Sequence, residues 1–149
     1  MNVVEYLDNI VNLKLHYAIK SPGLDLYDFG FGDDDQASAR QDTLPAESCT
    51  CFIHAVCRVD VIWRNKERRV DRYDRDTPCE IFHSEIRQLT GLRVRKAVLR
   101  DKNDLLLDFG ECWVVFVVFD DREESWRFFS SDRQMPHLVA SGCGVDFVY

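Results

Sequence analysis

The chain has 149 residues, of which 46% are hydrophobic and 30% charged, and its formal net charge is −7. This length suits a single domain over residues 1–149 with a hydrophobic core of its own, so that stability needs neither disulfides nor a structural metal. The acidic balance argues against nucleic-acid binding, which usually shows a basic field. It permits a basic protein partner instead.

Membrane insertion and export are not expected from the apolar patterning. The longest apolar run, residues 112–119, is far shorter than the roughly 20 residues that a membrane span requires. Residues 1–11 include Glu5 and Asp8 and lack the basic start and apolar centre of a secretory signal. We therefore expect a cytoplasmic protein with no membrane contact. In a reducing compartment its six cysteines are expected to be free, buried thiols.

The first third of the chain predicts a short helix and a β-hairpin. Asn2 and Glu5 have the spacing of a capping box before an apolar helical face. Residues 13–19 alternate between apolar and polar side chains, and the turn signal Ser21-Pro22-Gly23 separates them from a second strand over residues 24–31. Residues 32–47 contain little apolar material and are predicted to form a loop.

Residues 49–63 carry the clearest strand signal. Fifteen residues are long for one strand, so a bend, a bulge or a division into two strands is expected. Alternation turns the odd-numbered side chains inward and His54 to the opposite face, which predicts that the thiols are core filler. The odd-numbered residues are Cys49, Cys51, Ile53, Ala55, Cys57, Val59, Val61 and Trp63.

The remainder of the chain predicts one helix and a series of strands. Residues 68–73 suit a charged edge strand, and a helix capped by Thr77 and ended by Gly91 follows. The strands 94–100, 104–109, 112–119, 126–129, 137–140 and 145–148 are joined by short connections, which favour antiparallel pairing. The predicted fold class is α+β, a mainly antiparallel sheet that is bent or a partly closed barrel, with one or two packed helices.

Acidic loops are the leading candidates for partner binding. Two acidic clusters are interpreted either as solvated turns or as a surface for a basic protein. The aromatic residue beside the second cluster is expected either to pack in the core or to be exposed as an anchor for the partner. The cluster at residues 33–35 lacks the alternating carboxylates and the bidentate glutamate of an EF-hand calcium loop. The candidate residues are Asp33, Asp34, Asp35, Asp120, Asp121, Glu123, Glu124 and Trp126.

Catalysis and metal binding are weakly supported by the motifs. The four histidines lack metal-ligand spacing, so no metal site and no cofactor are predicted. A hydrolytic enzyme would use His54 or His137 with a carboxylate such as Asp60 or Asp108, although no motif places them together. A small-molecule-binding barrel with an aromatic interior is a further alternative.

Several segments resemble one group of uncharacterised bacterial proteins. They are residues 12–16 leading to Phe29-Gly-Phe-Gly32, the strand Ile53-His-Ala-Val-Cys57, the E-x-W-R-x-F motif at residues 124–129, and residues 136–139. Family members commonly pair the His and Cys of the second segment with Trp-Arg, whereas this chain has Val59 at the position of that tryptophan. The layout of residues 105–129 is also similar to small immunity proteins found near bacterial toxins. The uncharacterised group brings no established activity, and the similarity to immunity proteins implies a non-catalytic inhibitor of a toxin.

Overall fold

The computed structural model describes residues 2–33, 48–56, 58–65, 68–119, 121 and 123–149. The described residues form two α-helices and eleven β-strands, with three short 3-10 turns at Asp8–Ile10, Arg87–Leu89 and Asp101–Asn103. In chain order the elements are α1 Val3–Leu7, β1 Lys14–Ser21, β2 Leu26–Gly32, β3 Cys51–Val56, β4 Val59–Trp63, β5 Val70–Tyr73, α2 Cys79–Ile86, β6 Lys96–Leu99, β7 Leu105–Asp108, β8 Cys112–Phe116, β9 Glu124–Ser130, β10 His137–Ser141 and β11 Gly144–Val148.

The strands build two antiparallel sheets that share one core. Sheet A has the order β1-β2-β3-β9-β10-β11, and sheet B has the order β5-β4-β8-β7-β6. Buried side chains from both sheets and both helices belong to a single hydrophobic cluster. The α+β prediction with antiparallel pairing is therefore confirmed. A barrel is not formed by the described strands, because the chain divides its strands between two bent sheets.

The chain crosses from sheet A to sheet B between β3 and β4. A bend, a bulge or a division was expected within residues 49–63, and the division into two strands is the outcome found. Odd-numbered side chains face the core on both sides of the crossing, from Cys51, Ile53 and Ala55 in β3 to Val59 and Val61 in β4. The odd-numbered side chains of β3 and β4 therefore form one apolar stripe, which contributes to the core from both sheets.

The helix α2 closes the gap between two sheet edges. Its Phe82 side chain is fully buried and makes edge-to-face contacts with the rings of Tyr27 in β2 and Tyr73 in β5. The Tyr73 hydroxyl also donates to a Glu85 carboxylate oxygen at 2.6 Å. Because β1 and β5 are the edges of their sheets on this side, α2 joins sheet A to sheet B.

Opposite α2, the short helix α1 packs beneath sheet A. The ring of Tyr6 lies 5.3 Å, centroid to centroid, from Phe128 and from Phe147, and its hydroxyl donates to the carbonyl of Pro136. Asn2 caps the helix, because its side chain accepts a hydrogen bond from the Val4 amide.

Two local expectations for α2 had different outcomes. Gly91 adopts a φ of +92°, as predicted for the residue that ends this helical region. The predicted cap by Thr77 is wrong, because Pro78 occupies the cap position. The Thr77 hydroxyl instead accepts a hydrogen bond from the Asp74 amide, 2.9 Å away, and stabilises the preceding turn.

The predicted charged edge strand is confirmed as β5. Strand β5 lies at the edge of sheet B, and β8 lies between β4 and β7 with most of its side chains buried. Most of the loop predicted over residues 32–47 lies outside the described residues, although Gly32 ends β2 and Asp33 follows it.

Candidate functional site

A β-bulge in β1 turns two neighbouring side chains to the outer face of sheet A. The pairing with β2 shifts between Leu15 and Tyr17, so that His16 and Tyr17 both lie outside while Leu15 is buried in the core. Gly30 and Gly32 lie beneath them, and a Cβ on Gly30 would stand 2.1 Å from the Tyr17 ring. The absence of side chains at these glycines therefore allows the close approach.

Tyr17, Asp28 and His54 form a polar group across three strands of this face. The Tyr17 hydroxyl donates to both carboxylate oxygens of Asp28, at 3.2 and 3.3 Å. The Nε2 atom of His54 lies 3.2 Å from Asp28 Oδ1, with the His54 side chain 32% exposed. Burial, followed by the neighbouring Asp28 charge, raises the pKa of Tyr17, so the phenol keeps its proton and remains a donor.

Three stacked rings lie beside this polar group. Phe129 in β9 stacks on Phe52 at 5.3 Å and on His137 at 4.7 Å between ring centroids, and His54 meets the Phe129 ring edge-to-face at 4.9 Å. The strands β3, β9 and β10 bring these rings together because Phe52 pairs with Phe129 in the register of the sheet. Each ring remains partly exposed.

Arg127 connects the ring stack to the acidic turn. Its guanidinium donates to both Glu124 carboxylate oxygens and contacts His137 Nδ1 at 2.8 Å. Burial, followed by the Arg127 charge, lowers the pKa of His137, so its imidazole is neutral near pH 7. We call the following set the histidine face: Tyr17, Asp28, Phe52, His54, Glu124, Arg127, Phe129 and His137.

The described residues of the two predicted acidic clusters lie apart in the structure. Asp33 is exposed directly after β2, whereas Asp121 and Glu123 are exposed before β9. These segments lie at opposite ends of sheet A, about 20 Å apart along a seven-residue strand at roughly 3.3 Å per residue. Among the described residues of the two clusters, Glu124 of the second cluster therefore belongs to the histidine face, whereas Asp33 lies at the other end of the sheet. The candidates Asp34, Asp35 and Asp120 lie outside the described residues.

Trp126 is packed in the core, so it is not the exposed partner-binding anchor that was the other outcome considered for it. Its side chain is 0% exposed, and its indole nitrogen donates to the Asn103 carbonyl at 3.0 Å. The alternation of β9 turns Trp126 into the core and the neighbouring Arg127 outward. Phe129 is the residue of this strand that presents an aromatic ring to the outer face.

The cysteines were expected to be buried thiols, and Cys49, Cys51 and Cys112 are buried, whereas Cys79 is half-buried and Cys143 is exposed. Cys51 faces the core as predicted, and burial raises its pKa to about 11. Cys49 lies instead on the outer face over Gly30, because it precedes β3 and does not follow the strand alternation. Its Sγ is 3.7 Å from His16 Nδ1, yet burial and the Asp28 charge raise its pKa to about 12. Cys57 lies outside the described residues.

Two carboxylates were considered as partners of a catalytic histidine, and neither of them contacts a histidine. Asp60 accepts a bidentate ion pair from Arg58, with Arg72 3.6 Å away, and Asp108 accepts a hydrogen bond from the Gly110 amide. The carboxylate that contacts His54 is Asp28, which the sequence analysis did not select. Register across three strands creates this pair, and no spacing along the chain indicates it.

Within the described ranges, no group of histidine, cysteine, aspartate or glutamate side chains is arranged to hold a metal ion. Those same ranges contain no helix with both the length and the apolar character of a membrane span. Comparison of the chain with protein-family models, with curated proteins and with solved structures gave no match.

Proposed function

We propose that this domain is a stoichiometric protein-binding module that docks a basic partner on the histidine face, in the manner of an immunity-type inhibitor. The observation that carries the proposal is the stack of Phe52, Phe129 and His137, which leaves three partly exposed rings side by side on an open sheet face. Aromatic residues and arginine are enriched at protein interfaces, and a few such anchors supply most of the binding energy.

Charge complementarity supports a basic partner. Glu124 lies on the histidine face, Asp121 and Glu123 are exposed beside it, and Asp146 of β11 is exposed in the same cross-strand row as Val139 and Arg127. Together with Asp28, these carboxylates outnumber the Arg127 guanidinium among the described residues of this region. An acidic surround of this kind speeds association with a basic surface and favours it over acidic competitors.

Preorganisation supports tight binding. The side chains of Arg127, Glu124 and His137 hold one another through hydrogen bonds, and Tyr17 and His54 hold Asp28. Side chains that are already ordered lose less conformational entropy when a partner binds, so more of the contact energy remains as affinity.

The chemistry of the face favours binding over catalysis. A nucleophile needs a nearby base and a lowered pKa, whereas the thiol of Cys49 has a pKa of about 12 and is 5% exposed. The pair Asp28–His54 is the one observation that favours a hydrolase, because a carboxylate commonly orients a histidine base. If the protein shows a hydrolytic activity and His54→Ala leaves that activity unchanged, this alternative is excluded.

The alternative of a small-molecule pocket inside the domain is disfavoured, because aromatic rings fill the interior. Phe29 and Phe116, from opposite sheets, are in edge-to-face contact at 5.0 Å, and Phe82 packs against Tyr27 and Phe29. Each of these rings is at most 1% exposed. Mutual contact between the rings favours a packed core over a ligand cavity.

The test is affinity capture followed by measurement with the purified partner. Wild-type protein, Phe129→Ala and the control Val98→Ala, an exposed position in β6 of the other sheet, are immobilised in parallel. We expect a one-to-one complex that Phe129→Ala weakens about 30-fold, on the scale of an aromatic hot spot of about 2 kcal/mol. The control should bind normally. A complex unaffected by Phe129→Ala, or no complex at low or moderate salt, would contradict the proposal.

A further inference from the structure

A groove of about 390 Å³ lies between the edge strand β1 and the helix α2. Its walls include Ala18 and Ile19 from β1, His83 and Ile86 from α2, and Arg87 directly after the helix. Ile19 is 44% exposed, so the groove offers apolar surface to solvent beside a strand edge. It is separate from the ring stack of the histidine face, although Tyr17 touches both sites.

The edge of β1 is open at one position inside this groove. The amide of Leu15 donates to the carbonyl of Leu92, and the amide of Lys20 donates to His83 Nε2. The backbone amides at both ends of this edge therefore have hydrogen-bond partners. Ala18 lies two residues before Lys20 and points its N–H and C=O in the same direction. Among the described residues these two backbone groups of Ala18 have no hydrogen-bond partner.

The lining of the groove includes one formal cation, Arg87, in a chain whose net charge is −7. None of the side chains that line it is acidic. Arg87 is exposed and forms no ion pair with a described residue. His83 accepts from Lys20 at Nε2, so its Nδ1 carries the ring proton as a donor. The Nε2 atom of His16 is also buried in this region without a hydrogen-bond partner among the described residues.

We propose that this groove binds the carboxyl terminus of an extended peptide. The backbone of the peptide pairs with Ala18 as an added strand, the exposed Ile19 contacts an apolar side chain, and Arg87 binds the terminal carboxylate. A chain end fits better than a passing strand, because the pairs at Leu15 and Lys20 leave space for about three residues, roughly 10 Å.

The probe is a positional library of acetylated tripeptides with free carboxylates, and the same library as C-terminal amides is the control. Each is titrated into the ¹⁵N-labelled full chain. We expect the carboxylate library to shift the amide resonances of Ala18, Ile19 and Arg87, and the amide library to bind at least 10-fold more weakly because a charge-assisted bond is lost.

Two variants separate the carboxylate contact from general charge. Arg87→Gln is expected to weaken the best carboxylate peptide about 10-fold. Arg133→Gln, an exposed arginine in the turn before β10, serves as the matched control and should bind normally. Equal binding of carboxylate and amide libraries to the wild-type protein overturns the proposal, as do unchanged binding by Arg87→Gln and the lack of any shift at Ala18. The first comparison needs no variant to fold.

Discussion

Lys20 is a buried lysine that holds the turn before α2. It is 4% exposed, and its Nζ donates to the carbonyl oxygens of Asp74, Arg75 and Thr77. The hydroxyl of Tyr27 donates to the same Asp74 carbonyl at 2.6 Å. Replacing Lys20 with methionine keeps an unbranched apolar side chain and removes all three bonds. The change therefore isolates the contribution of the ammonium group.

The expected loss of stability follows from these contacts. A hydrogen bond to a charged group contributes about 1.5–3 kcal/mol, and the lower value applies here because the turn residues are partly exposed and their carbonyls recover water. Methionine offsets part of the loss, since burying an ammonium carries a desolvation cost that a thioether avoids. We expect Lys20→Met to lower the free energy of unfolding by about 3 kcal/mol.

Urea unfolding followed by tryptophan fluorescence measures this loss. The control is Lys96→Met in β6, whose lysine is exposed, and its midpoint should match that of the wild type. The slope with denaturant should be the same in all three proteins, because each unfolds over the same surface. A loss of unfolding free energy below about 1 kcal/mol for Lys20→Met would refute the inference that the hydrogen bonds from Lys20 to the three carbonyl oxygens stabilise the fold.

Three further outcomes test the histidine face and the thiols. Gly30→Ala should destabilise by about 2 kcal/mol in urea, because its Cβ meets the Tyr17 ring; an unchanged midpoint would contradict that contact. The lowered pKa of His137 means that the unfolded chain binds more protons than the folded chain below about pH 6.5. Stability should therefore fall as the pH drops through that range, and His137→Gln should lessen the fall; equal pH profiles would count against it. Under native conditions a thiol reagent should label the exposed Cys143 within minutes and the buried Cys51 far more slowly, and equal rates would show that Cys51 is accessible.

The local predictions depended on periodicity, and most of them are confirmed. The alternation of residues 51–63 predicted which side chains face inward, because successive side chains of a strand point to opposite faces. Residues 79–89 and the turn glycine Gly91 likewise carried local signals. Cys49 departs from the pattern because it lies outside the strand, where alternation does not apply.

The candidate site depended on information that is not local. His54 was expected to point away from the core, but its contacts with Asp28 and Phe129 come from strands 26 and 75 positions away in the chain. The bulge at His16 also changes which side chains of β1 reach that face. Sequence spacing does not report register between distant strands, and a shift of one residue would exchange the two faces.

The sequence by itself determined the element types, the inward stripe that crosses from β3 to β4 and the acidic character of the chain. Those properties follow from side-chain chemistry and backbone geometry over a few residues. Only the tertiary structure decided that the strands divide into two sheets, that Trp126 is buried and that two histidines share one ring of Phe129. These outcomes depend on which strands become neighbours, and the packing of the whole chain selects those neighbours.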